Sequence, residues 1–181
     1  ANSPIFTIVN AVLLKPLPYA SPDRLVMIWS VNEAQGGQLS ALSEGDLIDI
    51  RQASTTLART GAFQANLVPI NVTVDSNTTL ARAVSLTPDT FALLGREALL
   101  GRTLRDGDRF TIVLSHGFWQ RQFGGDASVV GRQVSVGSRA GTIVGVMPAD
   151  FGFPYPSMLL APISFTRIAN DQIVYRFTVE D

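Results

Sequence analysis

"FTIVLSHGFWQRQFGGDASVVGRQVSVGSRAGTIVGVMP" (Phe110 to Pro148) carries more fold information than any other stretch of this chain. Phe110 to Leu114 is short and almost wholly apolar, as a buried strand must be. Ser115 then stands where a helix N-cap belongs, and Gly124 where a helix ends. Trp119 and Phe123 are four residues apart and share one face of that helix. "DASVVG" (126–131) predicts a single helical turn. The remainder, from Arg132 to Pro148, has the form of a β-hairpin with Gly137 to Gly141 in the turn.

The stretch also holds the only histidine, His116, directly after a serine. Strand, Ser-x-Gly, helix is half of a hydrolase nucleophile elbow, so a serine hydrolase must be weighed. The elbow requires glycine two residues before the serine, and Val113 stands there. A triad also needs an imidazole brought from another segment. Adjacent residues at a helix start diverge by about 100°, so His116 does not face Ser115 as a base. The residues therefore predict a helix cap and a first-turn histidine, with no catalytic residue.

Working outward, "DRLVMIWSVN" (23–32) predicts a strand over Leu25 to Val31, and "EAQGGQ" a loop. "LSEGDLIDIRQAS" (42–54) predicts a helix with Ser43 as N-cap and Asp46 closing a near capping box. Its acids Glu44, Asp46 and Asp49 are candidate proton donors and acceptors, but a solvated helix face near a favourable dipole accounts for them. Alternating Val72 and Val74, then Leu80 and Ala83 or Val84, predict strands joined by turn chemistry at Asp75-Ser76-Asn77. In "TPDTFALLG" Thr87 is expected to cap, Pro88 to open and Gly95 to end a short helix. "RDGDR" (105–109) resembles a fragment of a calcium loop, lacks its remaining ligands, and reads as a surface turn. "ADFGFPYP" carries Phe151, Phe153 and Tyr155, expected as a lid over the hairpin core. "MLLAPI" is a short apolar piece, and "IVYRFTVED" one more strand.

Composition bounds the function. The chain has 181 residues, 46% apolar and 16% charged, enough for one domain or two small lobes. With 14 basic and 15 acidic residues and no block of either, it shows no footprint for nucleic acid. It has no cysteine, which removes disulfides, thiolate catalysis and cysteine-ligated zinc. No Walker loop and no Gly-x-Gly-x-x-Gly occurs, so no cofactor site is read from the sequence. No segment has the ~18 consecutive apolar residues that cross a bilayer. Near the start, Ile5, Phe6, Val9, Val12 and Leu13 recur at helical spacing until Pro16 and Pro18 stop the pattern. They fit either an amphipathic helix docked on the core or the last turns of a longer helix.

In order along the chain, "IFTIVNAVLLKPLPY…PDRLVMIW", "LSEGDLIDIR", "VSLTPDTFALLG", "LGRTL", "TIVLSHGFWQRQFGGDASVVGRQVSV" and "TIVGVMPADFGFP" resemble the MacB-like periplasmic core domain of FtsX-like ABC permeases, in particular those of acidobacterial permeases. The likeness spans nearly the whole chain. It implies an α+β fold: a porter-like βαβ lobe, a second small α/β lobe (Sabre-like) inserted into it, and an N-terminal stalk helix. On this chain the stalk and linker would be 1–21, the porter-like lobe 22–98 plus 172–181, and the inserted lobe 99–171. The resemblance implies that the porter lobe continues past Asp181, and that the stalk continues from a membrane span. It places the domain on the periplasmic side of the bacterial inner membrane.

The implied function is mechanical: transmitting ATP-driven conformational change to export or to signalling. The implied partners are the membrane-spanning part of the same permease, a cytoplasmic ATPase, a dimer mate and a periplasmic adaptor. Ile5, Phe6, Val9, Val12 and Leu13 would be the stalk residues that couple the motion, with no catalytic or metal residue in the domain. An extracytoplasmic ligand-binding or sensor domain is the alternative, and would require a concave pocket with convergent polar groups.

Overall fold

The structure is a computed structural model that describes residues 19–32, 38–64, 68–153, 159–168 and 172–177. Ile5, Phe6, Val9, Val12 and Leu13 lie outside the described residues, as does Tyr155. The elements in chain order are β1 (Ser30–Asn32), β2 (Gln38–Ser40), α1 (Glu44–Ala53), β3 (Val68–Val74), β4 (Asn77–Leu86) and α2 (Asp89–Leu94). They continue with β5 (Leu100–Gly101), β6 (Thr111–Leu114), α3 (His116–Phe123), β7 (Gln133–Val136), β8 (Arg139–Val146), β9 (Leu159–Ile168) and β10 (Gln172–Phe177). The mixture of helices and mainly antiparallel strands agrees with the α+β expectation.

Eight strands form one sheet, and its pairings close a circuit. β4 pairs antiparallel with β3, β3 with β7, and β7 with β8. β8 pairs parallel with β6, β6 antiparallel with β9, and β9 parallel with β4. β10 extends from β9, and β5 from β8. The sheet therefore curls, and strands from both halves of the chain share it.

β6 explains why the curl holds. It is paired on both edges and buried on both faces, the environment that selects a continuous apolar run. Ile112 and Leu114 point into one core with Val72, Ile143 and the α3 residues Phe118 and Trp119. Val113 points into a second core with Leu86, Met147, Phe151 and the α2 residues Phe91 and Leu94. Helices α3 and α2 thus cover opposite faces of one strand, as the alternation of side chains along it demands.

Two tight connections fix the register. Asp75 and Ser76 both adopt positive φ between β3 and β4, the requirement of a two-residue hairpin turn. The β7–β8 turn is narrower than the sequence suggested: only Gly137 and Ser138 turn, and Ala140 and Gly141 already belong to β8. Gly145 is demanded by close approach. A Cβ there would lie 2.1 Å from the Arg102 carbonyl oxygen, where β5 crosses beside a register shift between β6 and β8.

Three expectations are corrected. Leu25 to Trp29 form no ladder, and only Ser30–Asn32 pair, with β2. Thr87 does not cap α2 with its side chain: its hydroxyl accepts the Ala62 N–H at 2.9 Å and so ties the 60–62 loop to the helix start. Within "MLLAPI", Leu159 to Ile163 begin a ten-residue strand, β9, and are not a short piece. Its partner β4 lies more than seventy residues upstream, where no local pattern reveals it.

Candidate functional site

The Ser115–His116 pair resolves into helix punctuation. Ser115 Oγ accepts the Phe118 N–H at 3.3 Å, closing the first turn of α3. The His116 ring meets Trp119 edge-on with centroids 5.4 Å apart. Trp119 in turn donates its indole N–H to the Asp126 carbonyl at 2.8 Å, holding the turn that follows the helix. Each group has a structural partner, and none faces another in a proton-transfer arrangement.

The "RDGDR" segment is likewise committed to the fold. Arg102 clasps Asp108 with two hydrogen bonds, at 2.7 and 2.8 Å, and the Arg105 N–H adds a third at 2.9 Å. Burial pushes the Asp108 pKa up, but the Arg102 hydrogen bond, the Arg105 N–H and the Arg102 charge together hold it below the ordinary value. A carboxylate so engaged has little capacity left for a cation. Among the described residues no cluster of acids and histidine has metal-ligand geometry. The aromatic loop covers the second core and not the hairpin core that was expected: Phe151 packs with Leu86, Leu94 and Met147 and stacks on Phe91, and Phe153 meets Phe63 and Tyr19 edge-on.

What remains unengaged lies near the start of the described chain. A groove of about 480 Å³ runs between the extended segment Leu25–Trp29, the start of α1, and the 56–64 loop. Leu25 anchors one end in the second core. Beyond it Val26, Met27, Ile28 and Trp29 are all exposed, Val26 at 70%. Glu44, the first residue of α1, lines the same groove and is only 8% exposed. Neither of its carboxylate oxygens has a hydrogen-bond partner, and burial raises its pKa. Its neighbours behave as the sequence suggested: Asp46 completes a full capping box with Ser43 and stays exposed, as does Asp49.

Glu44 is the residue that sequence reasoning missed. A glutamate in the first turn is what the helix dipole favours, so nothing local marks it as buried. Glu44 shares its groove with Leu42 and the 25–29 segment, and that setting is tertiary information. The apolar segment itself was visible, but as a ladder strand.

A family model, the MacB-like periplasmic core domain, matches residues 1–180. The chain belongs to that family. No curated protein matches it. Among solved structures it is similar to the extracellular domain of the noncanonic ABC-type transporter YknZ from Gram-positive bacteria, at 16% identity and TM-score 0.54. That match covers 67% of this chain and 62% of the YknZ chain. It is similar to the periplasmic region of MacB from Actinobacillus actinomycetemcomitans, at 14% identity and TM-score 0.50, over 77% of this chain and 58% of the other. A permease domain from Porphyromonas gingivalis matches at 21% identity and TM-score 0.50, over 64% and 54%.

These likenesses show a shared fold. This MacB-like domain spans less than two thirds of each of those structures. Family membership makes it a periplasmic domain of an ABC permease. Among its described residues no helix is long and apolar enough to cross a membrane.

Proposed function

We propose that this MacB-like domain is the moving periplasmic part of its permease, carrying conformational change driven by a cytoplasmic ATPase into export or signalling. The family match over residues 1–180 is the observation that carries the reading. The chemistry agrees with it. Ser115, His116, Asp108 and the aromatic loop are all engaged in holding the fold, so the described residues offer rigidity rather than a reaction centre.

In this reading Ile5, Phe6, Val9, Val12 and Leu13 form the stalk helix that couples the domain to the membrane part. Residues 22–98 with 172–181 form the porter-like lobe, and 99–171 the Sabre-like lobe. Each of the two cores meeting at β6 draws residues from both segments, Val72 with Ile143 in one and Leu86 with Met147 in the other, so the lobes would move as one body. A dimer mate and a periplasmic adaptor would be the further partners.

The chain has no cysteine, so single cysteines introduced for spin labels are unambiguous within it. In the intact permease, a label at the exposed Ser128 paired with its copy in a dimer, or with a label in the membrane part, should report a distance that shifts on ATP hydrolysis. The shift should vanish when the ATPase is inactivated and when Val9→Pro breaks the stalk. A distance indifferent to ATP would overturn the proposal.

A further inference from the structure

Tyr19 to Leu25 carries the chain from residues 1–18 into the fold, and it is fastened more tightly than a connection requires. The Ala20 N–H donates to the Leu94 carbonyl at 3.0 Å, satisfying an acceptor that the end of α2 leaves open. The helix stops there on Gly95, at φ +62°, and the Arg96 N–H folds back to the Phe91 carbonyl at 2.9 Å. Ala20 lies so close to Gly95 that a Cβ at position 95 would collide with the Ala20 Cβ. Tyr19 is held from another side, its ring edge-on to Phe153 with centroids 6.1 Å apart. Arg96 is ion-paired with Asp150, so the end of α2 and the aromatic loop are clasped to each other beside Tyr19.

The remainder of the segment is stiff. Ser21 adopts a positive φ and leads into a 3-10 turn, Pro22–Arg24. The Arg24 N–H donates to the Ser21 carbonyl at 2.9 Å and the Leu25 N–H to the Pro22 carbonyl at 3.3 Å. Leu25 then packs against the second core, as Tyr19 does. Two anchors thus share one core, with a hydrogen-bonded turn between them. Pro16, Pro18 and Pro22 each fix a backbone dihedral along the approach. A flexible linker of seven residues would wander by about 15 Å end to end and absorb any smaller displacement. A segment seated in this way passes displacement on.

We infer that Tyr19–Leu25 is a rigid joint, which delivers displacement of residues 1–18 to α2 and the second core, with Gly95 as the seat that receives Ala20. The inference rests on the permease reading above and names where the motion enters the domain. From the second core the motion reaches the first through β6, whose Val113 lies in one and whose Ile112 and Leu114 lie in the other. Gly95 and Tyr19 are positioning residues: they set the angle of the domain on the chain that carries it.

The test uses the intact permease with spin labels at Ser128 and in the membrane part. Without ATP the wild type should give a narrow distance distribution. Gly95→Ala should broaden it about twofold and reduce the ATP-driven shift by about half or more. That variant also strains the backbone, because position 95 has positive φ. The double variant separates the two effects. Ala20→Gly removes the colliding Cβ and leaves the strain, since the next Ala20 atoms stand at 3.6 Å, an ordinary contact. In the Gly95→Ala background it should restore both readings. Tyr19→Ala should act as Gly95→Ala does, and Tyr19→Phe, which keeps the edge-on ring, should match the wild type. Ser115→Ala, a cap loss outside the joint, should change neither reading. Tyr19→Ala or Gly95→Ala indistinguishable from wild type, no rescue by Ala20→Gly, or an equal effect of Ser115→Ala would overturn the inference. If Gly95→Ala does not fold, the Tyr19 pair decides alone. A full ATP-driven shift in Gly95→Ala sinks only the joint. A wild type without that shift, whose distribution still broadens in Gly95→Ala and narrows in the double variant, sinks only the permease reading.

Discussion

Two apolar runs of this chain, Thr111–Leu114 and Leu25–Trp29, have similar sequence character and opposite environments. The first is β6, bonded on both edges and buried on both faces between two cores. The second has no ladder partner among the described residues, and every residue after Leu25 is exposed. Intrinsic propensity does not separate them, since valine, isoleucine and aromatic residues suit a strand in either place. What separates them is supply. β6 receives its partners from β8, β9 and two helices, whereas Leu25–Trp29 receives only the anchoring of Leu25. An apolar extended run specifies that it must be covered, and leaves open what covers it.

That comparison is broken most directly in the core. Leu114→Ala removes a fully buried side chain between α3 and β8, where the close-packed surroundings relax little. It should cost about 2–5 kcal/mol, read as a lower midpoint in urea unfolding. A loss below about 1 kcal/mol would mean that the β6 core is as loosely filled as the groove.

A smaller effect is expected at the clasp that feeds β6. Asp108→Asn leaves the shape but weakens charge-assisted hydrogen bonds from Arg102, for a loss of about 1–3 kcal/mol at neutral pH. The pH dependence has a definite sign. The folded-state pKa of Asp108 is lowered, so its contribution is present above the ordinary carboxylate value and fades as pH falls through the folded one. The stability gap between wild type and Asp108→Asn should therefore close on acidification. A gap constant from neutral to acid pH would assign the clasp a steric role only.

Ser115→Ala should cost about 1 kcal/mol, the worth of one N-cap. A loss several times larger would give Ser115 a role in the core beyond the cap.

The same contrast explains what could be read from residues alone. Capping and turn chemistry are local, so the Ser43–Asp46 box, the Asp75–Ser76 turn, Gly95 and the β6–α3–hairpin order were legible, though not the two-residue width of the hairpin turn. Thr87 was not, because its hydroxyl has a choice of donors and the 60–62 loop decides it. The parallel pairing of β9 with β4 was not, because parallel partners are remote in sequence and leave no turn signal between them. Glu44 was not, because a first-turn acid reads as solvated until its neighbours are placed. The stalk residues Ile5, Phe6, Val9, Val12 and Leu13 carry a helical pattern whose setting lies outside the described residues.

The smallest effect sharpens the comparison furthest. Val26→Thr keeps the shape and β-branching of a residue that is 70% exposed, and exposed positions tolerate such changes within about 0.5 kcal/mol. In residues 1–181 alone, urea unfolding should hardly distinguish the variant. In the intact permease the same substitution places a hydroxyl against an apolar partner if the groove is filled, and should loosen protection of the Val26–Trp29 amides by several-fold. The two measurements give the same residue two different energies, and the difference is the energy of what covers it. Equal, negligible effects in both would leave Leu25–Trp29 a bare surface in the working protein, against the physical expectation for five clustered apolar side chains.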